Sequence, residues 1–414
     1  MRVLVLGNGA REHAITARFA LSRRISGLFV APGNAGTAAL ATNLTDLDHT
    51  DPQAVLRACR KQDINLVFIG SEEPLAAGVA DLLAEQQIDC VGPARKTALL
   101  ESSKAFSKEF MQRNQIPTAT GQTFTQVAAF EEYIRSRKQR VVLKKSGLAA
   151  GKGVLESDDT EELIAFGRNV LADDSLVVEQ HLVGYEVSVF ALTDATDYCL
   201  LPCCADYKKA HDGSKGPNTG GMGAVCPVPW LETEAWQQIK SRIVEPTFEA
   251  LRKEALSFIG VLYFGIMVTE DGPMTLEFNL RFGDPEAQVL LPLIKCDFGS
   301  LSEAMVRGKL ADFPIEVSQK SAVGIVIAAD GYPAKYKTGI PVEGLPETDS
   351  IQLYHTATTE RDGVLYTGSG RCFTVVGIGR EHLDAMNAAY AAAPQVRFNG
   401  AWYRHDIGGK IFGP

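Results

Sequence analysis

The segment PMTLEFNLRFGDPE, Pro273 to Glu286, places a carboxylate, an amide and a guanidinium at alternate positions. Strand side chains alternate between faces, so Glu277, Asn279 and Arg281 share one face while Leu276, Phe278 and Leu280 share the other. Two oxygen donors separated by one residue suit Mg²⁺, which takes few protein oxygens and completes its shell with phosphate and water. An arginine one step further can grip a carboxylate or phosphoryl group with two N–H donors. Taken alone, the same face also fits a solvated strand carrying a Glu–Arg pair. The segment follows VLYFGIMVT across the turn residues EDGP, which predicts a hairpin.

A second candidate is LKKSGLAAGKGVLE, Leu143 to Glu156. A Walker loop needs Gly, four residues, then Gly-Lys-Ser/Thr; here only three residues separate Gly147 from Gly151, and Gly153 follows Lys152. The flanking apolar residues instead predict two strands joined by a glycine-rich loop, either a flap over a nucleotide or a plain surface hairpin. Lys104 at a helix start, Lys144 before the loop, and Glu179 and Glu186 on either side of a hinge-like strand, QHLVGY, complete a nucleotide–Mg²⁺ constellation.

These groups need a scaffold. Residues 1–100 alternate continuous apolar runs (3–6, 28–30, 66–70, 89–92) with helical segments (11–22, 51–62, 73–87), which predicts a doubly wound parallel sheet with ligands beyond the carboxyl ends of its strands. GNGAREH, Gly7 to His13, opens a helix at such an end. Glu12 occupies the third glycine position of a dinucleotide fingerprint, and the second strand lacks the acidic ribose ligand, so a dehydrogenase is disfavoured. The turns at Gly9, at APGNAGT (31–37) and at GSEEPL (70–75) are either anion-binding helix starts for a small phosphorylated ligand or ordinary tight turns. An amphipathic helix is predicted at 103–116. A small α+β lobe follows at 118–188, with a strand near 120–124, helices at 125–138 and 160–172, and the strand SLVVEQHL. The chain then mixes strands and helices around KGPNTGGMGAV, and a last unit begins near 321 with AVGIVIAA.

Composition narrows the class. A chain of 414 residues needs several packed units. A net charge of −9 with no long basic run argues against nucleic acid as a partner. The N-terminus lacks signal-peptide layout and no run approaches a membrane span, which predicts a cytoplasmic protein without a membrane partner. The eight cysteines show one cluster, Cys199, Cys203 and Cys204, without a second pair at metal spacing, and read as buried thiols.

Taken together, GNGAREHA, APGNAGT, ESSKAFSKEFM, SGLAAGKGV, DYKKAHDGSKGPNTGGMGA, LEFNLRFGDPE and WYRHDIG resemble the ATP-grasp superfamily and, within it, the phosphoribosylamine–glycine ligases (glycinamide ribonucleotide synthetases), over nearly the whole chain. The resemblance implies an α/β and α+β ATP-grasp fold with an N-terminal doubly wound parallel-sheet domain and a small C-terminal mixed domain. Its units would be 1–102, a connecting helix 103–117, a small ATP-grasp lobe 118–188, a large lobe 189–320 and a C-terminal domain 321–414. It implies ligation of glycine to 5-phosphoribosylamine through glycyl phosphate, with ATP as cosubstrate and Mg²⁺ or Mn²⁺ as cofactor. Another ATP-grasp carboxylate–amine ligase, or a catalytically silent nucleotide-binding protein, are the alternatives.

Carried over by motif, Glu277 and Asn279 would hold the metal. Lys104 and Lys144 would contact ATP phosphates beneath the flap Gly147, Gly151, Lys152, Gly153. Glu179, Gln180 and Leu182 would read adenine, and Glu186 the ribose. Arg281 would hold the acyl phosphate, with Asp206, Lys208, Pro217, Asn218, Thr219 and Gly220 near glycine. Gly9, Asn34, Gly36, Thr37 and Glu72 would hold phosphoribosylamine. A monomer or a dimer is expected, with a transient handover from the enzyme that makes the short-lived amine. Departures from the family pattern are Ser71 in GSEEP, Lys145 and Ser146 before the flap (the lysine adding positive charge near the phosphates), Gln180 and His181 in the hinge, Ala357 in place of glycine, and His211, read as a loop residue.

Overall fold

The computed structural model describes residues 1–149, 153–346 and 351–409. Among these, the first strands form a five-stranded parallel sheet in the order Thr42–Asn43, Gly27–Pro32, Arg2–Gly7, Leu66–Ile69, Asp89–Val91. Val3, Leu4, Val5 and Leu6 are all fully buried, which is why that strand reads as an unbroken apolar run. The single helix expected at 73–87 is two, Glu72–Ala77 and Val79–Glu85, because Gly78 adopts φ +84° and turns the chain between them. A helix absent from the sequence reading, Arg95–Ser102, precedes the expected one at Lys104–Arg113; the Ser103 hydroxyl caps the latter by accepting from the Phe106 amide at 3.2 Å.

The small lobe is a four-stranded antiparallel sheet, Gly121–Phe124, Leu176–Gln180, Val141–Lys145, Val154–Ser157, backed by helices Val127–Ser136 and Thr160–Val170. It has its own core around Phe130, Leu143 and Leu163. The hinge QHLVGY is not a strand: pairing ends at Gln180 and resumes at Tyr185, leaving 181–184 as a connecting segment.

A second antiparallel sheet runs Tyr198–Leu200, Tyr185–Asp194, Ile259–Thr269, Gly272–Asn279. Its hairpin contains a bulge: Gly265 opposes Glu277 while Ile266 opposes Thr275, so Leu276 has no opposite number. The expectation that Leu276 shares a face with Phe278 and Leu280 is therefore corrected, since this half-buried residue turns to the cavity wall.

The last sheet joins both sides of residue 321. Ala205–Asp206, Gly223–Cys226, Ser321–Ala329, Arg371–Gly379 and Ile351–His355 pair in that order, with Ala401–Trp402 also against Ser321–Ala329. Helix His382–Ala392 lies close on it at Gly377, where a Cβ would come within 2.1 Å of the Ala385 carbonyl oxygen. No helix of the described residues is long and apolar enough to cross a membrane.

Candidate active site

The strand Gly272–Asn279 delivers Glu277 and Asn279 to a cavity of about 220 Å³, and Arg281 follows directly. Glu72, Lys104, Lys144, Gly153, Glu179, Asp206, Lys208, Thr219 and Gly220 line the same cavity. An adjoining cavity of about 480 Å³ shares Lys144, Glu179, Asp206, Lys208 and Glu277 and adds Gln180, Leu182, Glu186 and Asn218. Three sheets and the parallel domain thus converge on one cleft, and the hinge segment supplies part of the wall of its larger cavity.

Charge pairing organises the cleft. The buried Glu179 carboxylate lies 2.6 Å from Lys144 Nζ and 2.6 Å from Lys108 Nζ. Lys108, which the sequence reading did not single out, also donates to Thr118 Oγ1 at 2.7 Å and the Ala119 carbonyl at 2.9 Å. Burial works against the Glu179 charge, but the two ammonium groups outweigh it and hold the carboxyl below its ordinary range. Burial opposes Glu277 in the same way, and Lys208, Lys144 and Lys104 keep it below the usual carboxylate value. Burial dominates at Asp206: against the pull of Lys208, and with Glu286, Glu186 and Glu277 near, its carboxyl is pushed up to about 8. Lys208 stays well above its ordinary value despite burial, because Glu186 and Asp206 face it.

Arg281 has several partners. Its NH2 lies 2.8 Å from Glu101 Oε1, its NH1 donates to the Phe282 carbonyl at 3.1 Å, and its Nε lies 3.4 Å from Glu72 Oε2 without forming a hydrogen bond. Glu72 Oε2 is also 3.5 Å from Arg11 NH2. Burial would raise the Glu72 carboxyl, yet Arg281 and Arg11 bring it down to about 2. Arg371 holds the wall opposite: its NH1 donates to the carbonyls of Gly220 at 2.7 Å and Asp284 at 2.8 Å. Glu101, Arg11 and Arg371 were not singled out from the sequence, although Glu101 lies inside ESSK and Arg11 inside GNGAREH.

Several expected substrate residues lie elsewhere. The Gly9 amide donates to Glu12 Oε2 at 2.7 Å, so the helix start expected to receive an anion is filled by the chain's own carboxylate. Asn34 and Thr37 cap each other across the short helix Ala35–Ala38, and Asn34 Nδ2 donates to the carbonyls of Asn8 at 2.8 Å and His355 at 3.0 Å. Gly36 packs against His13 and His355. The Asn34 side chain is thus committed to the junction with the strand Ile351–His355, and that of Thr37 to its own turn and Asn43. The Gly147 amide is likewise engaged, with Asp174 Oδ2 at 2.9 Å. Pro217 is exposed in the strand Lys215–Asn218 and, like Gly147, lines neither cavity. Gly151 and Lys152 lie outside the described residues. Lys145 faces Asp173 at 3.4 Å and lines neither cavity, which corrects the expectation of added charge near the phosphates.

The donor set fits a hard divalent cation. Glu277 and Asn279 offer a carboxylate and an amide oxygen on one cavity wall, and no three His, Cys, Asp or Glu side chains of the described residues converge on a metal-sized site. Few protein donors with room for phosphate oxygens is the mode Mg²⁺ prefers.

Comparison with known proteins agrees with this geometry. Residues 1–101, 102–287 and 322–410 match the N domain, the ATP-grasp (A) domain and the C domain of phosphoribosylglycinamide synthetase. A phosphoribosylamine–glycine ligase of Rhodopirellula baltica is 40% identical over 99% of this chain and 97% of its own length. The chain belongs to the phosphoribosylglycinamide synthetase family. The trifunctional purine biosynthetic protein adenosine-3 of Gallus gallus is 40% identical over 98% of this chain, which spans only 42% of that protein. Among solved structures, the phosphoribosylamine–glycine ligase of Thermotoga maritima superposes with a TM-score of 0.84 at 32% identity, covering 98% of this chain and all of that one. The biotin carboxylase domain of the Hydrogenobacter thermophilus 2-oxoglutarate carboxylase, with MgADP, ADP and bicarbonate, shares the fold: TM-score 0.75, 16% identity, 99% of this chain and 92% of that one.

Membership in the family gives the departures a physical reading. Ala357 adopts φ +51°, the left-handed conformation that glycine takes without strain, and its amide donates to the Asn8 carbonyl at 2.8 Å. Ser71, beside Glu72, buries a hydroxyl that finds no protein partner. Ser146 is buried and accepts from the Ala105 amide at 3.1 Å. Gln180 accepts from the Thr120 hydroxyl at 3.0 Å, and His181 shares the wall of the larger cavity. His211 is exposed in the hairpin Lys209–His211/Lys215–Asn218, outside both cavities.

Proposed function

We infer that this chain ligates glycine to 5-phosphoribosylamine at the expense of ATP, giving glycinamide ribonucleotide, ADP and phosphate in de novo purine biosynthesis. The observation that carries the reading is the convergence of Glu277, Asn279 and Arg281 with Lys104 and Lys144 on one cavity wall, in a chain of this family. A glycine carboxylate oxygen attacks the γ-phosphorus of ATP, and the bond to ADP breaks. The amine then attacks the acyl carbon of glycyl phosphate, and phosphate leaves. No enzyme nucleophile is required, so the residues act by position and charge.

Glu277 and Asn279 would hold Mg²⁺ or Mn²⁺, which when bound offsets negative charge on the transferring phosphoryl group. Lys104 and Lys144 would bear on the ATP phosphates below Gly153. Gln180 and Leu182 would meet the adenine, and Glu186 the ribose. The Glu179 side chain, held between two lysines, is assigned here to orienting Lys144 rather than to reading the base. Asp206, Lys208, Asn218, Thr219 and Gly220 would surround glycine, Arg281 the acyl phosphate, and Glu72 the ribose hydroxyls of the amine. Units at 1–102, 103–117, 118–188, 189–320 and 321–414, a cytoplasmic location, a monomeric or dimeric state and a transient handover of the amine complete the reading.

The test is phosphate release from ATP and Mg²⁺ with glycine present and phosphoribosylamine generated in place from ammonia and ribose 5-phosphate, each omitted in turn. Release that needs every component, a product mass matching glycinamide ribonucleotide, and loss of both in Glu277→Ala are expected. Release independent of glycine would reject the acid substrate.

A further inference from the structure

Arg281 is held on one side by a carboxylate on the wall of the same cavity. Glu101 sits in the last turn of the helix Arg95–Ser102 and is buried. That is a costly place for a carboxylate, since the helix dipole presents its negative end there and burial removes water. Its two oxygens are nevertheless both committed: Oε1 lies 2.8 Å from Arg281 NH2, and Oε2 accepts from the Leu280 amide at 2.7 Å. One side chain therefore fixes both the guanidinium and the backbone between Asn279 and Arg281. The second carboxylate differs. Glu72 makes only long contacts, 3.4 Å to Arg281 and 3.5 Å to Arg11, and its side chain is more exposed, 24% against 5%. NH2 also reaches Asn279 Oδ1 at 3.5 Å and NH1 donates to the Phe282 carbonyl, while the buried Nε beside Glu72 has no hydrogen-bond partner.

We propose that Glu101 is a positioning residue for the ligation: it locks the NH2 edge of Arg281 and the strand end at Leu280, and so fixes the guanidinium in the place where it would bear on the oxyanion of the acyl phosphate. The inference rests on the assignment of Arg281 to the acyl phosphate given above. Glu101 touches no substrate; it acts through Arg281. A glutamine at this position has a single acceptor oxygen, so either the strand amide or the guanidinium loses its partner, and the amide NH₂ group opposes a donor.

The experiment compares wild type, Glu101→Gln, Glu101→Asp, Arg281→Gln and Glu101→Gln/Arg281→Gln, measuring kcat, the KM of each substrate, and ADP formed per glycinamide ribonucleotide formed. Wild type forming no glycinamide ribonucleotide would reject the proposed function rather than this inference. With ligation established, Glu101→Gln is expected to lower kcat about tenfold to a hundredfold, with the KM for ATP within twofold. Its ratio of ADP to product is expected to rise above one, because a loosely held acyl phosphate is lost to water. The double variant is expected to be no worse than Arg281→Gln alone, as residues acting as a unit are not additive. Glu101→Asp, which keeps the charge on a shorter arm, is expected to show the same raised ratio with a smaller loss, and serves if the glutamine variant does not fold. A ratio that stays at one in every folded Glu101 variant, or a full additional loss in the double variant, would overturn the proposal.

Discussion

Replacing Glu179 by glutamine removes the charge that two buried ammonium groups share. Side-chain exposure is 3% for Lys108 and 13% for Lys144, so neither ammonium can turn to bulk water without moving its strand or helix. Removing one partner of a buried pair costs about 3 to 5 kcal/mol. Lys108 keeps the Thr118 hydroxyl and the Ala119 carbonyl, and Lys144 keeps the Leu276 carbonyl at 3.3 Å and the nearby Glu277 charge, which places the expected loss near the lower end, about 3 kcal/mol. For a cooperative unit of about 200 residues this is a fall in Tm of about 6 to 12 °C. Thermal unfolding followed by circular dichroism would read it, and hydrogen exchange would locate the loosening in the strands Val141–Lys145 and Leu176–Gln180.

The sign of the pH dependence follows from the lowered carboxyl. Glu179 has an ordinary value of 4.5 when unfolded and a lower one when folded. Its pairing therefore contributes fully above about pH 4.5 and is lost as pH falls through the folded value, so the variant should lack that part of the acid limb. Adding Lys108→Met should recover stability, since one unpaired charge leaves with its stem replaced by a similar volume. A Glu179→Gln protein within about 1 kcal/mol of wild type, or a double variant less stable than the single one, would refute the account of the cleft as a set of mutually compensating charges.

Ala357→Gly should raise stability by about 0.5 to 1 kcal/mol, relief of the left-handed strain exceeding the added freedom of the unfolded chain; an unchanged or lower urea midpoint would count against it. His13 and His355 form a second pH-sensitive junction. Burial, with His355 facing it, takes His13 down to about 3, and burial takes His355 to about 4, against 6.5 unfolded. The unfolded chain binds more protons between these values, so stability should be complete above pH 6.5 and fall by on the order of 6 kcal/mol for the pair toward pH 4; the same slope in a His13→Gln/His355→Gln variant would exclude these groups. Gly36→Ala puts a Cβ 2.2 Å from His13 Cε1 and 2.9 Å from His355 Cδ2, and should cost about 1 to 3 kcal/mol while leaving the KM for ATP unchanged. Tm and steady-state kinetics on one preparation would separate the two effects.

What could be read from the sequence was whatever local pattern determines. Fully buried strands such as Arg2–Gly7 announce themselves as apolar runs, and the period of two along 277–281 reports a polar face without knowledge of what it faces. Partnership over distance has no such pattern. Lys108 is one more lysine on an amphipathic helix until the fold brings Glu179 to it, and Glu101 meets Leu280 across 179 residues of chain. The bulge that turns Leu276 into the cleft depends on the register of the facing strand rather than on its own residue type.

The glycine turns are a different case. Gly9 has the same sequence signature whether its amide awaits a phosphate or is already satisfied, and Glu12 three residues on carried both meanings: a break in the dinucleotide fingerprint and a carboxylate at capping distance. Only the first was read. The two meanings have one cause, because a carboxylate placed to fill the turn excludes the pyrophosphate that a third glycine would admit. The parallel-sheet domain therefore meets the cleft through Glu72 and Arg11 rather than through a bare helix start, and the groups that join it to the chemistry are side chains whose charges must be matched across domains.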